Sequence, residues 1–246
     1  MNDLHAVHYV PIATTVLSAA FCAILLRRYA RRGSGAHLLW WALGIACYGL
    51  GTALESAVTL AGNSPALNKA WYIAGAILGG YPLAQGTVYL LLSRRMANRL
   101  SALTLPVIVI LAALVILSPT EISRLEPHRP GGAALVWQWL RALTPIVNLY
   151  AASFLIGGAV LSAIRYARES ATRHRAVGNA LIALGALLPG IGGAMAKTGR
   201  VEVLYIGEFV GLILIWAGYA ACVRTPSPRP ANRASESPAV EDPVTA

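Results

Sequence analysis

Two carboxylates interrupt long apolar runs in this sequence. Glu55 lies near the end of one run, and Glu208 lies about two turns into another. A carboxylate at mid-bilayer depth costs about 2.5–3.5 kcal/mol on insertion scales and turns toward protein rather than lipid. Such a group can bind a solute, carry a coupling proton, or serve as an acid or base. Helical spacing supplies its neighbours. Gly44, Tyr48, Gly51 and Glu55 recur at offsets of four, three and four, which places them on one helix face. Tyr205, Glu208 and Leu212 make a stripe in the last run, Tyr81, Gln85 and Tyr89 make one in the third, and Asn148 falls near mid-depth of the fifth. The candidate solute-binding set is therefore Glu55, Glu208, Tyr48, Tyr72, Tyr81, Gln85, Tyr205 and Asn148, with Lys197 or Arg141 as counter-charge. The competing structural reading has Glu55 and Glu202 at helix ends among headgroups. In it Gln85 and Asn148 make helix–helix hydrogen bonds, and Trp71 and Tyr72 are interfacial anchors.

Other chemistries lack their residues. His5, His8, His37, His128 and His174 sit at run ends or between runs, and no two have metal-ligand spacing with a third partner. There is no glycine-rich phosphate loop ending in Lys-Ser or Lys-Thr, and no carboxylate pair close in sequence to hold magnesium. No cofactor and no metal is expected. Cys22, Cys47 and Cys222 lie inside apolar runs, where free cysteine behaves as a small hydrophobe.

The elements that must position these groups are membrane spans. The chain has 246 residues, 57% hydrophobic and 12% charged, about half the charge of a soluble domain. Apolar runs of about 20 residues suit helices crossing a hydrocarbon layer of about 30 Å. Seven spans are expected, at residues 8–28, 37–58, 70–93, 100–118, 135–164, 176–197 and 201–223, in an all-helical transmembrane domain over 1–223. Residues 224–246, rich in Pro, Ser and Ala, are expected to be a disordered tail. Of the 20 basic residues, 14 follow the first, third, fifth and seventh spans. Positive charge stays cytoplasmic, so the N-terminus is expected outside and the C-terminus inside. The same segregation makes nucleic acid an unneeded explanation for the net charge of +10. A multi-pass protein of a bacterial inner membrane is expected, with anionic lipid at its basic inner loops. Self-association into a homo-oligomer is compatible with this reading.

The word Arg-Tyr-Ala-Arg closes the first span at Arg28–Arg31 and the fifth at Arg165–Arg168. Ala42-Leu43-Gly44 with Gly49 and Gly51 is echoed by Ala183-Leu184-Gly185 with Gly190 and Gly192. Tyr72-Ile73-Ala74-Gly75 is echoed by Tyr205-Ile206-Gly207, and Pro11-Ile12 by Pro145-Ile146. Four echoes in one order predict a duplication, with repeat one over 8–93, a linker helix over 100–118 and repeat two over 135–223. Copies four crossings apart run parallel, in a 3+1+3 layout. Pro82 and Pro189 are expected to interrupt their spans, and the segment Leu188–Gly193 to be the least regular helix.

This layout resembles the sugar-carrier (SWEET and PQ-loop) group and, in helix number and polarity, the rhodopsin-like seven-helix proteins. The carrier resemblance implies a solute path between the repeats. The chain departs from the first group in lacking a Pro-Gln pair and in carrying Tyr48 where the second repeat has Pro189. It departs from the second in having no lysine in span 201–223, which rules out a retinal pigment. The function expected is a small-solute carrier with a polar cavity in the outer half. The alternatives are a ligand-sensing receptor with a separate partner and, third, an intramembrane enzyme using Glu55 and Glu208.

Overall fold

Helix punctuation is written clearly in the chain. Pro11 opens the first helix at a position whose N–H would be unpaired anyway, and Gly33 closes it in the left-handed region (φ 64°) with its N–H on the Tyr29 carbonyl. Ser64 before Pro65 and Ser93 before Arg94 cap two further helices through their side chains. The computed structural model describes residues 6–196 and 198–224. Its α-helices are α1 (Val10–Arg32), α2 (Ala36–Ala61), α3 (Pro65–Trp71), α4 (Tyr81–Leu91), α5 (Arg94–Leu117), α6 (Trp139–Ala167), α7 (Arg173–Ala196) and α8 (Val201–Val223). Residues 225–246, expected to be a disordered tail, lie outside the described residues.

Six of these helices are long and apolar enough to cross a membrane, which suggests a multi-pass integral membrane protein. The third expected span, residues 70–93, falls on a stretch that is broken into α3, a π-helical segment Tyr72–Ile77 and α4. Pro82 falls in the first turn of α4 and has no N–H to give to the preceding turn, so regular α-helix begins anew there. Pro189 behaves otherwise. It sits inside an α7 that runs without a break from Arg173 to Ala196, so the expected interruption at Leu188–Gly193 is corrected.

Helix neighbours form a closed ring. α1 packs on α2, α2 on α4, α4 on α6, α6 on α7, α7 on α8, and α8 back on α1. α5 stands outside the ring. Only 17% of its most apolar window is buried, against 44% for α2. A polar ladder ties it to α4. Tyr89 donates to Asn98 (2.8 Å), Gln85 donates to Ser101 (2.6 Å), and the Tyr81 and Thr104 hydroxyls pair at 2.8 Å.

The α7–α8 contact is close because glycine recurs every seventh residue on α7, at Gly178, Gly185 and Gly192. A Cβ built on Gly185 would lie 2.5 Å from the Gly211 carbonyl oxygen, and one on Gly178 would lie 2.6 Å from that of Gly218. The connection from α5 to α6 folds over the end of the bundle opposite Arg28 and Arg175. There Asn63 donates to the Glu126 and Arg129 carbonyls at 3.0 and 3.1 Å, and the Asn68 side chain brackets Gly131.

Candidate functional site

Glu55 stands six residues before the end of α2, and Glu208 seven residues after the start of α8. At a rise of about 1.5 Å per residue, both lie roughly 10 Å below the loop-covered end. Their carboxyls are direct neighbours. Glu55 is 3% exposed, and its Oε1 accepts the Trp71 indole N–H at 2.9 Å. The Oε2 atoms of Glu55 and Glu208 are both sealed from solvent and receive no N–H or hydroxyl donor. Tyr48 donates its hydroxyl to the Glu208 backbone carbonyl at 2.9 Å, which ties α2 to α8. Tyr205 is buried beside both carboxyls and Thr59. Close approach is possible because Gly51 meets Gly75 of the π-helical segment, where an added Cβ would lie 3.2 Å from the Gly75 Cα.

The remaining candidates fall elsewhere. Tyr81 and Gln85 belong to the α4–α5 ladder, and Gln85, fully buried, also accepts from Tyr150 at 2.7 Å. Tyr72 pairs with Thr144 at 2.7 Å, whereas Trp71 next to it donates to Glu55. Asn148 is exposed on α6 rather than turned into a path. Lys197 lies outside the described residues. Arg141 is exposed and donates to Gln138, so it is not the counter-charge of the carboxyl pair. Among the described residues, the one ion pair is Arg129 with Glu126 (3.2 Å) in the covering loop. In the same set, no three His, Cys, Asp or Glu side chains gather as metal ligands.

The cavity of the ring lies at the other end. A vestibule of about 540 Å³ opens at the end that carries Arg28 and Arg175, and all six ring helices line it. Arg28, Arg32, Arg175 and Arg224 stand at its mouth with His37, and Phe21, Ile45, Ile182 and Ile215 are among its deeper residues. The deep residues are eight to eleven positions from their helix ends, so the vestibule penetrates roughly 12–16 Å. None of the described candidate residues named from the sequence lines it. Between its floor and the carboxyl pair, Leu212 and Tyr48 form part of a packed core with Phe21, Ile45 and Leu83. The polar cavity expected in the outer half is thus replaced by a sealed carboxyl pair at one end and an open vestibule at the other.

Sequence reasoning missed Trp71 as a partner of Glu55, and it missed the vestibule. The signal for the second was the repeated word itself. Arg28 of its first copy and Tyr166 of its second both line the vestibule. No protein-family model, curated protein or solved structure matches this chain.

Proposed function

We propose that this protein is a small-solute carrier that works by alternating access. The Glu55–Glu208 pair is its coupling-proton site, and the arginine-mouthed vestibule is the end now open. One observation carries the reading: a sealed carboxyl pair and an open vestibule occupy opposite ends of the same six-helix ring, with a packed apolar layer between them. Two carboxylates in contact, with no ion-pair partner among the described residues, repel each other and lose their hydration. A proton between them removes both penalties and lets the end close. Losing it forces water in, which opens that end.

The order of helices supports a rocking motion. In the ring, the first, second and third spans are successive neighbours, as are the fifth, sixth and seventh, and the third of each set abuts the first of the other. That is the order expected of two parallel three-helix copies, with α5 as the linker outside. The break ahead of Pro82 supplies a hinge in one copy. The positive-inside distribution makes the vestibule the cytoplasmic mouth and leaves the N-terminus outside.

Paired thiol reporters test the reading. In a background without Cys22, Cys47 and Cys222, Thr59→Cys reports on the carboxyl end and Ser162→Cys on the vestibule. Each rate of alkylation in nanodiscs is normalised to Ser170→Cys in the exposed α6–α7 connection. Raising the pH should speed the first reporter and slow the second, and Glu208→Gln should abolish both changes. Rates that move together, or not at all, would overturn the carrier reading. A fixed vestibule that binds ligand would point to the receptor.

A further inference from the structure

The vestibule combines two surfaces that one ligand class matches. Its mouth holds four guanidinium groups, from Arg28 and Arg32 on α1, Arg175 on α7 and Arg224 after α8, and none of its lining residues is acidic. Among the described residues none of the four has an ion-pair partner, since the single ion pair is in the loop at the opposite end. Two of them are held in place by aromatic rings. The Arg28 guanidinium lies 5.6 Å from the centre of the Tyr219 ring, and that of Arg175 lies 5.7 Å from the Tyr166 ring. A guanidinium placed in this way offers its N–H fork to an anion without first losing much side-chain freedom.

Below the mouth the wall turns apolar. Phe21, Leu25, Leu38 and Leu83 are buried and belong to one packed cluster, and Ile182 and Ile215 face the same space. A small hydrophilic anion would satisfy the arginines and leave this floor wet. A neutral hydrocarbon would fill the floor and leave the arginines bare. The volume, about 540 Å³, lies within the usual range for a small-molecule pocket, about 300–1,000 Å³. Other basic side chains of this end, such as Arg27, Arg95 and Arg165, do not line the vestibule, so generic attraction to headgroups does not account for the convergence of these four.

We propose that the vestibule binds an amphiphile whose phosphate-like anionic head lies among Arg28, Arg32, Arg175 and Arg224 and whose single hydrocarbon chain enters the apolar floor. The inference rests on the carrier reading for its role, since it names the class of solute carried, but the binding itself is tested without transport. The same head and chain can arrive as a water-dispersed alkyl phosphate or as part of a membrane lipid.

The probe is octyl phosphate, titrated calorimetrically onto the full chain in nanodiscs of neutral phosphatidylcholine. The controls are inorganic phosphate and octyl glucoside. Octyl phosphate should bind at least tenfold more tightly than either. The Arg28→Gln/Arg175→Gln variant should weaken it at least tenfold. Ser162→Leu, which leaves every arginine in place and fills the cavity, should weaken it likewise. An unchanged thermal unfolding midpoint certifies that each variant is folded. If adding phosphatidic acid to the nanodisc displaces octyl phosphate, the ligand is drawn from the bilayer. If it does not, the ligand is water-borne. Either result supports the proposal. Binding of inorganic phosphate as tight as that of octyl phosphate would overturn it, because the floor would then contribute nothing. Octyl phosphate binding that ignores the arginine variant, or is absent, would overturn it as well. Because no gradient is applied, failure here leaves the reciprocal thiol rates free to stand, and failure of those rates leaves binding free to stand.

Discussion

Replacing Glu208 tests whether the two buried carboxyls act as one unit. Glu55 Oε1 accepts the Trp71 N–H at 2.9 Å, a bond that Glu208 takes no part in, whereas Glu55 Oε2 has no N–H or hydroxyl donor and the Glu208 carboxyl is its buried neighbour. Glu208→Ala therefore leaves a buried acceptor bare, at about 1–3 kcal/mol. It also removes one methylene, worth about 0.8 kcal/mol when buried. The total is a loss of about 1.8–3.8 kcal/mol. Glu208→Gln keeps the methylenes and presents an N–H to Glu55, so its loss should stay within about 1 kcal/mol. The Glu55→Ala/Glu208→Ala protein should lose about 1–3 kcal/mol less than the sum of its single variants, because no orphaned partner remains. Reversible unfolding in mixed micelles, followed by tryptophan fluorescence, measures all four proteins. Equal losses for Ala and Gln, or single losses that add within about 0.5 kcal/mol, would show that the two groups do not share a hydrogen bond and would refute the reasoning.

Other outcomes follow from the same packing. Gly211→Val should destabilise the bundle by about 1–3 kcal/mol or more, because its Cβ would fall 2.6 Å from the Gly185 carbonyl oxygen. Gly193→Ala on α7, which meets nothing within 4 Å, should stabilise by up to about 1 kcal/mol in the same unfolding assay. Gln85→Leu breaks its bonds to Ser101 and Tyr150 and should lose about 1–3 kcal/mol, with Ser101→Ala losing less because the Tyr150 bond survives. For the orientation, an impermeant thiol reagent should label Ser123→Cys in intact cells and Ser170→Cys only after permeabilisation. The reverse pattern would invert the proposed topology.

Most of the helical layout was readable because hydropathy and caps are local. The Gly33 stop, the Ser64-Pro65 start and the apolar runs lie within a few residues of what they control. Pro82 announced a break, but the π-helical turn before it did not, since nothing in Tyr72–Ile77 differs in composition from an ordinary helix. The peripheral place of α5 was hidden for another reason. Its polar residues Asn98, Ser101 and Thr104 sit near its basic start, where they read as the edge of a span rather than as a face turned to Tyr89, Gln85 and Tyr81. Glu55 and Glu208 stood out singly as charges in apolar runs. Their meeting joins positions 153 residues apart (208 − 55), a relation that only packing can express. The arginines stood in the sequence only as charges flanking apolar runs, and their convergence on one cavity required six helix ends to be placed together.

The carrier claim is tested most directly by following octyl phosphate and internal pH together in proteoliposomes that enclose a pH-sensitive dye. Protein-dependent movement of the probe should be accompanied by proton movement in the same direction, and Glu208→Gln should stop both while leaving binding intact. A probe that binds the vestibule yet never crosses, with the internal pH unchanged, would contradict it.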